Sequence, residues 1–301
     1  MPGERPFLPY GRHFIEDDDI EAVTDVLRGE FLTTGPVVDA FENTLAEVTG
    51  ARHVVSCSSG TAALHLTASA LDLGPGDWAI VPAMTFLATA NAARYVGADV
   101  IFADVDAETG LMTSETFEAA RATAVGSVKA VYPVHINGQT ANMAAIRQVA
   151  GDMPIVEDAC HALGGVHKAA NGEWVPVGSC AYSEMSIFSF HPVKTVAMGE
   201  GGAVTTNDDH LAERLRRHRN IGMNRNPETI ENAGQAFDTS GEINPWYYEM
   251  PELGLNYRAS AVHCALGLNQ LGKLERFVGI RNRLVERYAE ALAPLAAVVR
   301  M

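Results

Sequence analysis

Between residues 52 and about 215 the chain alternates short β-rich runs with longer helical ones, and no other feature limits the fold so strongly. Arg52 to Cys57 reads as a strand, Ala62 to Leu71 as a helix and Trp78 to Pro82 as a strand. The spacing then predicts a helix over Thr85 to Val96 and extended chain over Val100 to Val105 and Val128 to His135. A helix follows over Ala141 to Ala150, then extended chain over Pro154 to Glu157. Ser186 to Phe190 and Gly202 to Thr206 read as later strands, before a helix from Asp208 to His218. Such alternation calls for a mainly parallel sheet with helices on both faces. The runs are apolar throughout rather than on every second residue, as central strands buried on two sides should be.

The flanks read differently. Residues 15–49 predict helix, turn, helix: Ile20, Val23, Val26 and Leu27 recur at helical spacing, and Phe31 to Pro36 interrupts them. Arg225 to Asn244 is polar and Gly/Asn-rich, which predicts a long loop or flexible flap. Ala259 to Leu274 is again helical, and Ile280 to Leu292 is amphipathic. The expected division is an N-terminal helical segment (1–50), a large α/β domain (51–245) and part of a smaller C-terminal domain (246–301).

Charge removes some functions. With 22 Lys+Arg against 37 Asp+Glu, the net charge of −15 gives no footprint for nucleic acid and no polybasic surface for lipid. The longest uncharged runs, Trp78 to Ala93 and Ala130 to Ile146, are too polar to span a bilayer. Met1 to Pro6 has no apolar signal region. Cys57, Cys160, Cys180 and Cys264 are far apart with no C-x-x-C pair, so reduced thiols of a cytoplasmic protein are expected, and no metal site.

Three stretches can carry chemistry. Cys57 to Leu64 places Ser58-Ser59-Gly60-Thr61 at a strand-to-helix junction, where backbone amides and the helix dipole can hold a phosphate. An ordinary N-cap would read the same way. Ile155 to Gly164 puts Asp158 and His161 at the carboxyl end of a buried strand, where open α/β sheets bind ligands. An acid there needs a cation or donors, which a pyridinium nitrogen, a metal or a structural arginine could supply. His161 reads equally as an interior histidine. Ser186 to Val196 holds Lys194 among apolar residues beside Gly199-Glu200-Gly201-Gly202. Lysines are few (Lys129, Lys168, Lys194 and Lys273), and one taken out of water has a lowered pKa and becomes an amine nucleophile. Jointly these stretches supply what pyridoxal 5'-phosphate (PLP) needs: a phosphate cradle, a carboxylate for the ring nitrogen and a lysine for the aldehyde. Phe86 could then cover one ring face, or simply pack in the core.

At these residues the sequence resembles the DegT/DnrJ-type sugar aminotransferases, which share the aspartate-aminotransferase-like α/β fold (PLP fold type I). The resemblance runs from about Pro9 to the end of the chain. It is narrower to the PseC-type nucleotide-sugar C4 aminotransferases of pseudaminic acid biosynthesis, through Pro9-Tyr10-Gly11-Arg12, Phe188 to Thr195 and Trp246 to Met250. It implies Lys194 as the lysine that condenses with PLP and shuttles protons, Asp158 as partner of the ring nitrogen and Phe86 stacked on the ring. It places His161 near the phenolic oxygen and Gly60, Thr61 and Ser189 on the phosphate. Asn256 would reach the cofactor of a neighbouring subunit in a homodimer with shared sites, and Tyr10, Thr34 and His135 would line the substrate side.

The implied reaction moves an amino group from glutamate to C4 of a UDP-linked 4-keto-6-deoxy-N-acetyl sugar. Two departures stand out. Ala259-Ser260-Ala261-Val262-His263 replaces a segment that in the family carries an acid and an amide. The family's C-terminal small domain also continues beyond the equivalent of Met301, so an apparently truncated small domain is expected. The competing readings are a PLP-dependent sugar dehydratase, whose relatives carry histidine in place of the lysine, and an inactive or regulatory PLP-binding homologue.

Overall fold

The structure, a computed structural model, describes residues 7, 9, 11–169, 172–296 and 298. Two helices precede the sheet, α1 (Asp17–Arg28) and α2 (Pro36–Thr49). Proline opens α2 where its missing N–H costs nothing, and Gly50 stops it in the left-handed region at φ +74°. The alternating part runs β1 (His53–Cys57), α3 (Gly60–Ala70), β2 (Asp77–Pro82), α4 (Leu87–Tyr95) and β3 (Asp99–Ala103). It continues with α5 (Ser114–Ala122), β4 (Ser127–Val131), α6 (Met143–Ala150) and β5 (Val156–Asp158). A small hairpin of β6 (Val166–Lys168) and β7 (Trp174–Pro176) leads to β8 (Met185–Ser189), β9 (Gly202–Thr206) and α7 (Asp209–Arg219). The last helices are α8 (Ala233–Ala236), α9 (Ala261–Leu271) and α10 (Leu274–Leu292).

Two ladders, β3-β2-β4 and β1-β9-β8-β5, are joined by parallel bridges Val131–Ile155 and Val134–Asp158 into one sheet ordered β3-β2-β4-β5-β8-β9-β1. Strand β9 runs antiparallel to both β1 and β8, while β2–β3, β2–β4 and β5–β8 are parallel. The mainly parallel sheet is therefore as expected, with one reversed strand. Both faces are covered. On β1, Val55 and Cys57 join a core with α3, α4 and α7, while Val54 joins one with α2 and α9. On β2 and β4, Ile80 and Val131 face α5 and α6. Side chains alternate across a strand, so burial on both faces makes most positions apolar. Contrary to expectation, not all are: Ser56, Glu157, Asp158, Ser186, Thr205 and Thr206 are buried polar residues on these strands.

Several expectations need adjustment. Helix α5 and the β6–β7 hairpin lie in stretches whose sequence suggested no element. The strand expected to His135 ends its ladder at Val131, because Pro133 has no amide to give. The chain nevertheless stays beside β5, the Asp158 amide donating to the Pro133 carbonyl at 2.8 Å and the His135 amide to the Asp158 carbonyl at 3.0 Å. Residues 225–244 are a self-bound loop: the Glu249 carboxylate accepts the Glu231 and Asn232 amides, and Asn224 ties back to Thr229. Gly272 ends the helix that was expected to reach Leu274, and α10 starts there.

Helix α1 is fastened by charge. Asp19 is fully buried and accepts from Asn269 at 2.7 Å and Gln270 at 2.8 Å, with the Lys273 ammonium at 3.0 Å. Lys273 also meets Asp18 at 2.7 Å and Glu16 at 3.2 Å. Hydrogen bonds from Lys273 and then Asn269 hold the Asp18 carboxyl down to about 2 against an ordinary 3.8. Burial pushes Asp19 up, but the Glu16 amide, Asn269, Lys273 and Gln270 together keep it below its usual range. A depressed carboxylate contributes stability above its unfolded pKa and loses it as pH falls through the folded one. The protection of α1 amides, measured against their intrinsic exchange rates at each pH, should therefore fall as pH drops from about 4 toward 2, ahead of protection in the sheet. In Lys273→Met this acid step should shrink; an α1 that exchanges in step with β8 at every pH would contradict the fastening.

Candidate active site

The carboxyl ends of β1, β2, β4, β5 and β8 open onto one cavity of about 470 Å³. Its wall includes Ser59, Gly60 and Thr61 after β1, Thr85 and Phe86 after β2, and Val134 and Ile136 beyond β4. Asp158, Cys160 and His161 come from the end of β5, and Ser189, His191, Val193 and Lys194 from the end of β8. This is the edge at which parallel sheets bind ligands, and the volume is that of a small-molecule site.

The turn into α3 has the geometry of a helix N-terminus, which can hold an anion. Ser59 caps the helix, its Oγ accepting the Ala62 amide at 3.1 Å while its carbonyl takes the Ala63 amide. The amides of Gly60 and Thr61, the first of the helix, have no carbonyl within the helix to pair with, and both residues line the cavity. Glycine is required twice. A Cβ on Gly60 would stand 2.7 Å from Ser189 Cβ, and one on Gly202 would stand 2.2 Å from the Ser59 carbonyl oxygen. The reversed strand β9 thus presses its glycine against the turn, and Ser189 closes the cradle from β8.

Asp158 is 5% exposed. Its Oδ2 accepts from Thr89 Oγ1 at 2.7 Å and its Oδ1 from the Cys160 amide at 3.3 Å. Thr89 is in turn paired with Thr85 at 2.8 Å. These neutral donors orient the carboxylate and leave its charge for a cationic N–H in the cavity, which a protonated pyridine ring would provide. Cys160 is no nucleophile here, because burial and the Asp158 charge push its thiol well above the ordinary range. His161 is held below its ordinary value by burial and then by the Lys194 ammonium, so it stays neutral near pH 7. The Asn137 amide donates to His161 Nδ1 at 3.2 Å, which puts the proton on Nε2. Lys194 is half-buried, its carbonyl taking Arg281 and its amide donating to His191. Phe86 is 65% exposed, an aromatic ring left bare at the wall.

Of the residues singled out from sequence, the structure brings Gly60, Thr61, Phe86, Asp158, His161, Ser189 and Lys194 to this cavity. Three others lie elsewhere. His135 is fully buried and contacts Glu157 and the Ala141 amide rather than the cavity. Thr34 lines a separate pocket of about 270 Å³ with Arg216, Arg225 and Arg258. Asn256 is exposed, bridged to Asn220 and away from this cavity. Tyr10 lies outside the described residues. Sequence reasoning missed Thr89, the direct partner of Asp158, because a threonine inside an Ala-rich helix carries no local signal of a partner that far away in the chain.

A model of the DegT/DnrJ/EryC1/StrS aminotransferase family matches residues 13–301. Among similar solved structures is the PLP form of Spr1654 from Streptococcus pneumoniae, which carries a provisional sugar-aminotransferase name. It is 27% identical, with 95% of this chain and 71% of that one covered and a TM-score of 0.81. Helicobacter pylori PseC, an aminotransferase involved in the biosynthesis of pseudoaminic acid, is 26% identical, with coverage of 94% and 70% and a TM-score of 0.80. A DegT/DnrJ/EryC1/StrS aminotransferase from Brucella abortus is 31% identical, with coverage of 93% and 70% and a TM-score of 0.79.

The Gly202 contact yields a prediction. Gly202→Ala should cost about 1–3 kcal/mol, the usual penalty of overpacking. It should also weaken phosphate-ester binding, because the atom in the way is the Ser59 carbonyl rather than a movable side chain. Thermal melting with and without a phosphorylated ligand measures both effects, and an unchanged midpoint in each would contradict the close-approach argument.

Proposed function

The chain belongs to the DegT/DnrJ/EryC1/StrS aminotransferase family, and from that membership we propose that it is a PLP-dependent sugar aminotransferase working in the Asp158–Lys194 cavity. The observation that carries the reading is the convergence of an amine, a buried acid, an anion cradle and a bare aromatic ring on one wall. When bound, PLP supplies an aldehyde for amine condensation and a protonated ring that draws electron density from the substrate carbon. Gly60, Thr61 and Ser189 would hold its phosphate, Asp158 its ring nitrogen and Phe86 one ring face.

The chain's own groups divide the remaining work. Asp158 keeps a proton on the atom it faces, since Thr89 and the Cys160 amide fix its two oxygens in place. His161, neutral and protonated at Nε2, donates into the cavity. Lys194 Nζ takes a proton from the amino donor's α-carbon and returns one to the acceptor's carbon, as general base and then general acid. The wall residues Val134, Ile136 and Val193 keep water from these exchanges.

For the substrates we infer glutamate as donor and a UDP-linked 4-keto-6-deoxy-N-acetyl sugar as acceptor, giving a UDP-4-amino-4,6-dideoxy sugar of the L-altro series on the route to pseudaminic acid. The sequence match to PseC-type enzymes and the likeness to Helicobacter pylori PseC support this. The pocket of Thr34 gathers Arg216, Arg217, Arg219, Arg225 and Arg258 on a chain of net charge −15. Arg217 and Arg219 are already paired with Glu252 and Glu42, which leaves the others suited to a diphosphate. We further infer a homodimer in which Thr34 and Asn256 serve the cavity of a second copy. A cytoplasmic location fits the free cysteines and the lack, among the described residues, of any helix long and apolar enough to cross a membrane.

With PLP added, the wild-type chain should develop a visible absorbance band. With glutamate and a panel of UDP-4-keto sugars it should yield an aminated product by mass spectrometry. Lys194→Ala should lose the band and all turnover. A variant that keeps both would refute the assignment of Lys194.

A further inference from the structure

Glu157 precedes Asp158 on β5, so the two side chains leave opposite faces of the strand. Asp158 enters the cavity, and Glu157 is fully buried behind it. Glu157 Oε2 meets His135 Nε2 at 2.8 Å, and Oε1 accepts the Ser183 hydroxyl. His135 is fully buried, and its Nδ1 accepts the Ala141 amide at 3.2 Å. A lone pair at Nδ1 places the proton on Nε2, so His135 is neutral and donates to Glu157.

These two bonds tie the turn of residues 135–141 to itself and to β5. The turn reaches the cavity twice. Ile136 lines the wall, and Asn137, at φ +55°, aims its amide at His161 Nδ1. A non-glycine residue in the left-handed region is held there by its surroundings. The His135 grip is one such hold.

We propose that His135 is a positioning residue: by gripping Glu157 and the Ala141 amide it sets the tautomer of His161 through Asn137 and the aim of Asp158 through β5. The cofactor-binding part rests on the reading above; the His161 part does not.

A metal is the competing use of this cluster. His135, Glu157 and His167 offer ligand atoms within 4.8 Å of one another, and among the described residues neither His167 nitrogen has a hydrogen-bond partner. A metal-bound histidine, however, donates its other ring N–H to an acceptor. The second nitrogen of His135 faces a donor instead, the Ala141 amide. That amide decides for positioning.

The two halves of the grip separate by substitution. Asparagine can place an oxygen near the Nδ1 position and glutamine a nitrogen near the Nε2 position. His135→Asn therefore keeps the Ala141 bond and His135→Gln keeps the Glu157 bond. Glu157→Gln, nearly isosteric, serves if the His135 variants do not fold. In apoprotein labelled with ¹⁵N-histidine, His161 (assigned by its loss in His161→Gln) should be wholly the Nε2–H tautomer in wild type. Each variant should mix in the Nδ1–H form and raise the PLP dissociation constant about tenfold, the equivalent of one hydrogen bond. Wild-type tautomer and affinity in the folded variants would overturn the proposal. So would one equivalent of zinc in the purified wild type that His135→Gln releases. A wild type with the stated tautomer that binds no PLP would refute the functional reading while the variant spectra still judge the His135 grip.

Discussion

A carboxylate 5% exposed at the end of a central strand is the constraint to which the rest of this molecule answers. Asp158 cannot be left there without donors, and the fold supplies them from two directions, Thr89 on α4 and the Cys160 amide beyond β5. Both are neutral. The charge therefore stays available, and every neighbouring element is arranged around it: the cradle of Gly60 and Thr61, the bare ring of Phe86 and the amine of Lys194. Removing the acid would leave that arrangement without a reason.

The sheet explains why these groups meet. Strands β1, β5 and β8 point the same way, so their carboxyl ends share an edge, although Ser59, Asp158 and Lys194 are far apart in sequence. Strand β9 runs the other way and delivers Gly202 to the same edge, where only a glycine lets its backbone touch the Ser59 carbonyl. Behind this edge His135 and Glu157 form a second, fully buried layer. The site is thus two layers deep, with the outer one meeting the ligand and the inner one fixing the outer.

Much of this was legible in the sequence because local pattern and tertiary role coincide. Lys194 stands out as a rare lysine among apolar residues, and Asp158 as an acid ending a buried strand. The family motifs then named most of the wall. What stayed hidden depends on distance rather than pattern. Thr89 acts through a helix that arrives from another part of the chain, and nothing in Ala-Thr-Ala-Asn-Ala announces a partner for Asp158. The family resemblance implied a substrate-side role for His135. The pleat and the turn after Pro133 carry its imidazole to the other side, onto Glu157. Helix α5 and the β6–β7 hairpin escaped notice because they are short and partly exposed, where periodicity is weakest.

In the function proposed above, one amine, that of Lys194, would meet the aldehyde of a cofactor seated against Asp158. That encounter is tested most directly by loading the protein with PLP, reducing with borohydride and mapping the labelled lysine by peptide mass spectrometry. Only four lysines exist to be distinguished, Lys129, Lys168, Lys194 and Lys273. Stoichiometric label on Lys194 alone, abolished by Lys194→Ala, is the expected result. Label on Lys129, Lys168 or Lys273, or none at saturating PLP, would contradict it.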